Sequence, residues 1–133
     1  MNSSLKPCQR ILVVDDNPVN LKLLRILLTG EGFDIQTASD GEEALSIIPS
    51  FCPDLILMDV QLPGVDGLTL TRQLKSDPAS KDIVIIVVTS FAIKGDRERA
   101  LQAGCDDYMT KPIDTIELPL RISKFLSKEK IEL

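Results

Sequence analysis

The stretch Asp54-Leu55-Ile56-Leu57-Met58-Asp59, followed by Val60-Gln61-Leu62-Pro63-Gly64, decides how this chain can fold. Its four consecutive apolar residues leave no polar face, which is typical of a strand covered on both sides in a parallel sheet. Pro63-Gly64 then ends the run. Ligands bind outside the carboxyl ends of strands in open parallel sheets, so Asp59 is a candidate for chemistry. Asp is also common in turns, and this stretch alone does not separate the two interpretations.

The composition points to one globular domain. The chain has 133 residues, of which 44% are hydrophobic and 26% are charged. A net charge of -5 leaves no broad basic surface, so we expect no direct binding of nucleic acid. Every apolar run is too short to span a bilayer and the polar N-terminus lacks a signal peptide, so we expect a cytoplasmic protein without membrane insertion. The three scattered cysteines form no C-x-x-C pair and are expected to be reduced thiols.

The chain contains no histidine. This excludes a Ser-His-Asp or Cys-His catalytic arrangement and any metal site with histidine ligands from this chain. Every acid, base or metal ligand must therefore be a carboxylate, a lysine, a hydroxyl or a backbone group.

Apolar strand segments alternate with helical segments along the whole sequence. The expected strands are 11–14, 33–39, 54–59, 83–88 and 105–110. The second is the least apolar and is expected at an edge of the sheet. Five such units predict an α/β fold of three layers, with a parallel sheet and right-handed crossovers.

Local signals predict where several helices begin and end. Asn17-Pro18 is typical of a helix start, with Asn as the N-cap and Pro at the first helical position. Pro49 and Pro53 are expected to end the second helix, and the charged segment 94–103 is expected to be an exposed helix. Pro119 is expected near the start of the last helix, because proline removes a hydrogen bond inside one.

Polar side chains follow four of the five expected strands, and in a parallel sheet those strand ends share one edge. They are Asp15, Asp16, Asp59, Thr89 and Lys111. At about 5 Å and an effective dielectric near 20, each carboxylate pair would repel by roughly 3 kcal/mol, so three acids need a cation. With only oxygen ligands available, Mg²⁺ is the natural candidate, or Mn²⁺ in its place. A lysine and a hydroxyl beside the metal suit a phosphoryl group, which a carboxylate can accept as nucleophile.

From Arg10 to Leu126 the chain resembles a response-regulator receiver domain of the CheY-like superfamily. The segments that carry the resemblance are Val14-Asp15-Asp16-Asn17, Asp54 to Asp59, Leu62-Pro63-Gly64-Val65-Asp66-Gly67, Val88-Thr89-Ser90 and Tyr108-Met109-Thr110-Lys111-Pro112. The resemblance implies a doubly wound (βα)5 sheet of strand order 2-1-3-4-5, which is flavodoxin-like. Residues 1–9 would then be an N-terminal lead, 10–127 the receiver domain and 128–133 a C-terminal tail.

The resemblance also implies the chemistry at Asp59. This residue would accept a phosphoryl group from a phosphohistidine on a histidine kinase or a histidine phosphotransfer protein. Asp16 and Asp59 would bind Mg²⁺ through their side chains, Asp15 would bind it directly or through a water, and Gln61 would bind it through its backbone carbonyl. The chain would be mainly a signalling switch that catalyses its own phosphorylation and slow dephosphorylation.

The switch residues follow from the same resemblance. Lys111 would pair with the phosphoryl oxygens, Thr89 would move to hydrogen-bond them, and Tyr108 would turn inward behind Thr89. The surface formed by strand 4, helix 4, strand 5 and helix 5 would then change conformation and regulate a downstream protein partner. Lys94, Arg97 and Tyr108 are the expected contact residues on this surface. The protein is expected to be a monomer or a weak dimer.

Several alternatives stay open. Residues 89–96 resemble single-domain DivK-type receivers, as well as the receivers of hybrid histidine kinases, from which this chain could have been excised. Ser90 and Phe91 depart from the commonest receiver pattern and leave the phosphoryl lifetime open. A receiver that binds partners without phosphorylation is a further alternative. Phosphatases of the haloacid-dehalogenase class need a second Asp where this chain has Gln61, and no glycine-rich loop marks a nucleotide site.

Overall fold

The computed structural model describes residues 9–90 and 95–131 and shows a parallel sheet with helices on both faces. In chain order its elements are β1 (Arg10–Val14), α1 (Pro18–Gly30), β2 (Asp34–Ala38), α2 (Gly41–Phe51), β3 (Leu55–Asp59), α3 (Gly67–Ser76), β4 (Val84–Thr89), α4 (Asp96–Gln102), β5 (Asp107–Thr110) and α5 (Glu117–Ile131). All neighbouring strands pair in parallel, in the order β2-β1-β3-β4-β5. This confirms the predicted fold class and strand order, including the edge position of β2.

The sheet separates two apolar clusters, because alternate residues of each strand point to opposite faces. On one face, Leu57 of β3 packs in the same cluster as Leu24 of α1 and Ile122 of α5. On the other, Ile56 of β3 packs with Leu70 of α3. All of these side chains are buried. The continuous apolar run of β3 is therefore explained by a strand that has no solvent-facing side.

The start of α1 agrees with the sequence. The side chain of Asn17 accepts hydrogen bonds from the backbone N–H groups of Val19 (2.9 Å) and Asn20 (3.3 Å), and Pro18 is the first helical residue. Pro119 likewise lies in the first turn of α5. The structure describes that helix from Glu117 to Ile131. Within residues 9–90 and 95–131, none of the helices has the length and apolar character needed to cross a membrane.

Three predicted limits were wrong. Helix α2 passes through Pro49 and ends at Phe51, because the proline removes only its own backbone hydrogen bond and the N–H of Cys52 still donates to the carbonyl of Ile48 at 2.9 Å. Helix α4 begins at Asp96, since Gly95 before it has a left-handed backbone with φ of 93°. Strand β5 begins at Asp107 and not at Cys105, whose N–H still donates to a carbonyl of α4.

Candidate functional site

Lys111 joins two acids that lie far from it in the sequence. Its Nζ atom is 3.1 Å from Oδ2 of Asp15 and 3.1 Å from Oδ2 of Asp59. Asp15 follows β1, Asp59 ends β3 and Lys111 follows β5, so the three meet at the carboxyl edge of the sheet. Both acids are only 3% exposed, and a buried charge is costly unless it is paired. The predicted convergence of Asp15, Asp59 and Lys111 is therefore present in the structure.

Backbone groups hold the two buried carboxylates in place. The N–H of Gln61 donates to Oδ1 of Asp59 at 3.1 Å, and the N–H of Asn17 donates to Oδ1 of Asp15 at 2.9 Å. The side-chain amide of Asn20 adds a longer hydrogen bond, of 3.3 Å, to Oδ2 of Asp15. Each carboxylate is thus oriented by the turn that follows its own strand, before any ligand binds.

Burial and neighbouring charges shift the pKa values of Asp59 and Lys111. Burial raises the pKa of the Asp59 carboxyl, and the hydrogen bonds from Gln61 and Lys111 only partly offset it. Burial on its own would lower the pKa of Lys111, but hydrogen bonds to Asp15 and Asp59 and the charges of both acids outweigh it and raise that pKa. Lys111 therefore stays protonated at neutral pH. Its positive charge and the hydrogen bonds to Asp59 do not fully offset the cost of burying the ionised Asp59 carboxylate.

The acids fit a hard divalent cation. Carboxylate oxygens of Asp15, Asp16 and Asp59 lie within 4.8 Å of one another. Asp16 is exposed and the other two are buried, so the cluster opens to solvent on the side of Asp16. Three carboxylates beside one lysine leave an excess of negative charge, and oxygen ligands of this kind suit Mg²⁺. Gln61, the fourth predicted ligand, lines the same open cleft as Asp16.

Thr89 and Tyr108 occupy different parts of the edge. Thr89 is the last residue of β4 and is buried, and its carbonyl accepts the backbone N–H of Lys111 at 2.8 Å. Tyr108 lies opposite Val87 in the β4–β5 pair and is half-buried against the apolar cluster of that face. Thr89 is thus directly linked to Lys111, whereas Tyr108 belongs to a separate groove.

That groove brings together two of the three predicted partner-surface residues. It has a volume of about 540 Å³ and is lined by Arg97 of α4, by Tyr108 and by residues of α5 that include Leu120 and Lys124. Lys94, the third predicted contact, lies outside the described residues, as does Phe91. The structure therefore places Arg97 and Tyr108 on one surface.

The sequence analysis missed a glycine that packs on the site. A β-carbon on Gly67 would lie 2.0 Å from the carbonyl oxygen of Asp59. The N–H of Gly67 also donates to the carbonyl of Val60 at 2.8 Å. Glycine directly after the N-cap Asp66 was a signal of close backbone approach.

It also missed an apolar stripe on α1. Val19, Leu23 and Ile26 follow helical spacing and are 72%, 50% and 63% exposed. The sequence could have indicated this stripe, because α1 contains more apolar residues than the buried Leu24 and Leu28 that face the core. Such a face on an exposed helix is typical of a surface that contacts another protein.

Known proteins resemble this chain over most of its length. The family model for the response regulator receiver domain matches residues 11–123. The polar-differentiation response regulator DivK of Brucella anthropi is 43% identical over 116 residues, which cover 87% of this chain and 94% of DivK. The response regulator PleD of Caulobacter vibrioides is 44% identical over 113 residues, or 85% of this chain, but the chain spans only about 25% of the length of PleD.

Solved structures give the same result. A CheY-like receiver domain protein from Methanospirillum hungatei superposes with a TM-score of 0.88 at 28% identity, covering 96% of this chain and 100% of its own. The receiver domain of the sensor histidine kinase PA1611 from Pseudomonas aeruginosa has a TM-score of 0.82 at 36% identity, with coverage of 91% and 99%. That structure has a magnesium ion coordinated in its active-site cleft. With the parallel sheet of order β2-β1-β3-β4-β5 and the acids at its carboxyl edge, these matches show that the chain belongs to the response regulator receiver domain family of two-component signalling.

Proposed function

We propose that this chain is a phosphorelay receiver whose Asp59 accepts a phosphoryl group from a phosphohistidine on a histidine kinase or a histidine phosphotransfer protein. The observation that carries the proposal is Lys111 Nζ at 3.1 Å from the buried Asp59 carboxylate, inside a cluster of three acids. A structural ion pair needs only one acid for one lysine. Here three carboxylates surround one lysine at the carboxyl edge of the sheet, and Asp16 is exposed to solvent. This excess of negative charge supports a site that binds a cation and then an anionic phosphoryl group.

The proposed reaction is a displacement at phosphorus. A carboxylate oxygen of Asp59 forms the new bond to phosphorus, the phosphorus–nitrogen bond of the phosphohistidine breaks, and its electron pair returns to the imidazole of the donor. Mg²⁺ held by Asp15, Asp16, Asp59 and the backbone carbonyl of Gln61 would supply positive charge against the phosphoryl oxygens. Lys111, already protonated and in contact with Asp59, would exchange that carboxylate for a phosphoryl oxygen. Since these 133 residues include no histidine, the phosphohistidine lies outside this sequence.

The proposed switch uses the link between Thr89 and Lys111. The hydroxyl of Thr89 would hydrogen-bond the new phosphoryl group, and Tyr108 would move inward behind it. Charge-assisted contacts of this kind shift the balance between two existing conformations. The groove that contains Arg97 and Tyr108 would change shape and bind a downstream protein.

The proposed docking surface for the donor is the apolar stripe of α1. A groove of about 400 Å³ connects that helix to the site, and its lining includes Asn20, Leu23 and Ile113 together with Lys111. A helix of the donor that packs on Leu23 and Ile26 would bring its phosphohistidine beside Lys111 and Asp59. The proposed cellular setting is the cytoplasm, with the receiver acting as a monomer or a weak dimer.

Intact-mass measurement tests the phosphoryl transfer. Wild-type protein incubated with Mg²⁺ and either acetyl phosphate or a phosphorylated histidine protein should gain one phosphoryl group. Asp59→Asn should block the gain. Asp54→Asn is the matched control, since Asp54 lies just before the opposite end of β3, where its carboxylate accepts the backbone N–H of Arg10 at 2.8 Å. No gain on the wild type with both donors would overturn the proposal in favour of a receiver that binds partners without phosphorylation.

Separate variants test the two surfaces. Leu23→Gln and Ile26→Gln should slow transfer from the histidine protein and leave the reaction with acetyl phosphate unchanged, and the exposed Lys22→Gln on the same helix is the control. Arg97→Glu and Tyr108→Ala should weaken binding of a downstream partner without preventing phosphorylation. Equal transfer rates for Leu23→Gln and Lys22→Gln would exclude the α1 stripe as the docking surface.

A further inference from the structure

A second depression reaches the acid cluster from the side of α3 and α4. It is an open cleft of about 730 Å³ between these helices and the loop after β3. Asp16 and Gln61 line it, and the N–H of Gln61 donates to Oδ1 of Asp59 at 3.1 Å. The cleft therefore opens directly beside the proposed phosphoacceptor. Among residues 9–90 and 95–131, none lines both this cleft and the groove along α1.

The charges of this cleft differ from those of the α1 groove. Two guanidinium groups line it, Arg72 from α3 and Arg99 from α4. Of its two acids, Asp16 belongs to the carboxylate cluster, and Asp66 accepts the backbone N–H of Thr69 at 2.8 Å as the N-cap of α3. Both acids thus have roles elsewhere in the fold. The two arginines come from different helices and place two cationic groups in the lining of the cleft that contains Asp16 and Gln61.

Guanidinium groups recognise particular anions. Each presents a planar set of N–H donors that matches the oxygens of a carboxylate or a phosphate. A cleft this open admits a small hydrated molecule, whereas the apolar α1 groove suits a protein helix. The two depressions therefore differ in the class of phosphoryl donor that their chemistry favours.

We propose that Arg72 and Arg99 form an anion subsite that holds small dianionic acyl phosphates, such as acetyl phosphate, for reaction with Asp59. This inference rests on the proposed function of Asp59. In the reaction, an oxygen of Asp59 bonds to phosphorus, the bond from phosphorus to the acyl oxygen breaks, and its electron pair leaves with the carboxylate product. No proton transfer is needed. The arginines bind the donor and the departing carboxylate, and they leave the phosphohistidine route along α1 unaffected.

Binding can be measured without any phosphoryl transfer. The Asp59→Asn protein is titrated with acetonylphosphonate, a carbon-linked analogue of acetyl phosphate, while NMR follows the side-chain Nε–H signals of arginine. We expect saturable shifts at Arg72 and Arg99, and affinity about threefold weaker after Arg72→Gln or Arg99→Gln, as for an exposed ion pair. Arg25→Gln on α1 is the control, because this substitution removes the same charge away from the cleft. Arg25 is exposed, and its guanidinium donates to the hydroxyl of Thr37 at 3.1 Å. Absence of shifts, or an equal loss with Arg25→Gln, would overturn the subsite.

Reaction kinetics give a second, independent readout. In a chain with Asp59 intact, the double variant Arg72→Gln/Arg99→Gln should raise the half-saturating concentration of acetyl phosphate by about tenfold. Phosphoramidate carries less charge and has no carboxylate leaving group, so its reaction should change less, and transfer from a phosphohistidine protein should not change. An equal change with all three donors would contradict the inference. Failure of every donor on the wild type would instead refute the function proposed for Asp59, and the binding titration would still decide the subsite.

Discussion

Gly67 lies directly against the backbone of Asp59, so that a β-carbon at position 67 would be 2.0 Å from the Asp59 carbonyl oxygen. Gly67 is the first residue of α3, and Asp59 is the last residue of β3. The end of the central strand and the start of α3 are therefore in backbone contact. The position of the phosphoacceptor candidate depends on how closely this helix can approach the sheet.

Gly67→Ala should lower the free energy of unfolding by about 1–3 kcal/mol or more, because the neighbour that must move is backbone. Gly30→Ala is the matched control, since a β-carbon there meets nothing within 4 Å in the described structure. That change should be neutral or stabilising, by up to about 1 kcal/mol. Urea denaturation measures both. Equal stability of the two variants would show that the contact at Asp59 relaxes without penalty.

The amino group of Lys75 should be a major structural hydrogen-bond donor. It contacts the carbonyls of Ile83 (2.7 Å) and Lys81 (3.2 Å) and the carboxylate of Asp106 (2.8 Å), and its side chain is only 17% exposed. Lys75→Met should lower stability by about 1–3 kcal/mol, because it leaves the partners of a charged donor unsatisfied. Lys22→Met on the exposed side of α1 should stay within about 0.5 kcal/mol of the wild type in the same denaturation experiment.

Removing the charge of Asp59 should stabilise the metal-free protein. Burial raises the pKa of the Asp59 carboxyl, so burying the ionised carboxylate lowers the free energy of unfolding at any pH above the folded-state pKa. As the pH falls through that pKa, the folded protein binds a proton at Asp59 and this loss of stability disappears. In the presence of EDTA at pH 7, Asp59→Asn should therefore melt at a higher temperature than the wild type, and the gap should narrow toward acid pH. The exposed Asp16→Asn should shift the melting temperature less.

Magnesium should reduce this difference in melting temperature. Binding to the native state alone stabilises a protein by an amount that rises with the logarithm of the ligand concentration relative to Kd, and the wild type, with the complete set of carboxylates, should have the lower Kd. Addition of Mg²⁺ should raise the melting temperature of the wild type more than that of Asp59→Asn. Calorimetry at several Mg²⁺ concentrations measures the effect. An identical response of both proteins would count against Asp59 as a metal ligand.

Cys105 should be a poorly reactive thiol. Burial raises its pKa to about 11, and the charges of Asp106 and Asp107 add to the effect. At pH 9 only about 1% of this thiol would be ionised, whereas a thiol at the ordinary value of 9.0 would be half ionised. In a Cys8→Ser/Cys52→Ser protein, alkylation by iodoacetamide should stay slow until the pH approaches 11. Cys8→Ser/Cys105→Ser, which keeps the exposed Cys52, should react faster, and equal rates would contradict the expected protection.

The fold could be predicted because its signals are local and periodic. The apolar run before Asp59 indicated a buried strand, and the N-cap at Asn17 indicated the start of α1. Both are confirmed. The limits that were wrong lie at Pro49, Gly95 and Cys105, where the outcome depended on the place of one residue within its helix, on a backbone angle, or on a hydrogen bond back to α4. The proposed contribution of Lys94 to the partner surface stays a prediction.

The sequence by itself determined the parallel α/β fold and the polar residues at its strand ends, because hydrophobic period and turn chemistry act over a few neighbouring residues. Only the tertiary structure decided which of these groups meet. The contact of Lys111 with both Asp15 and Asp59, the packing of Gly67 on Asp59, and the cleft shared by Arg72 and Arg99 all join residues from different elements. Such contacts depend on how each helix packs on the sheet and how each loop turns, and no local pattern in the chain encodes those distances.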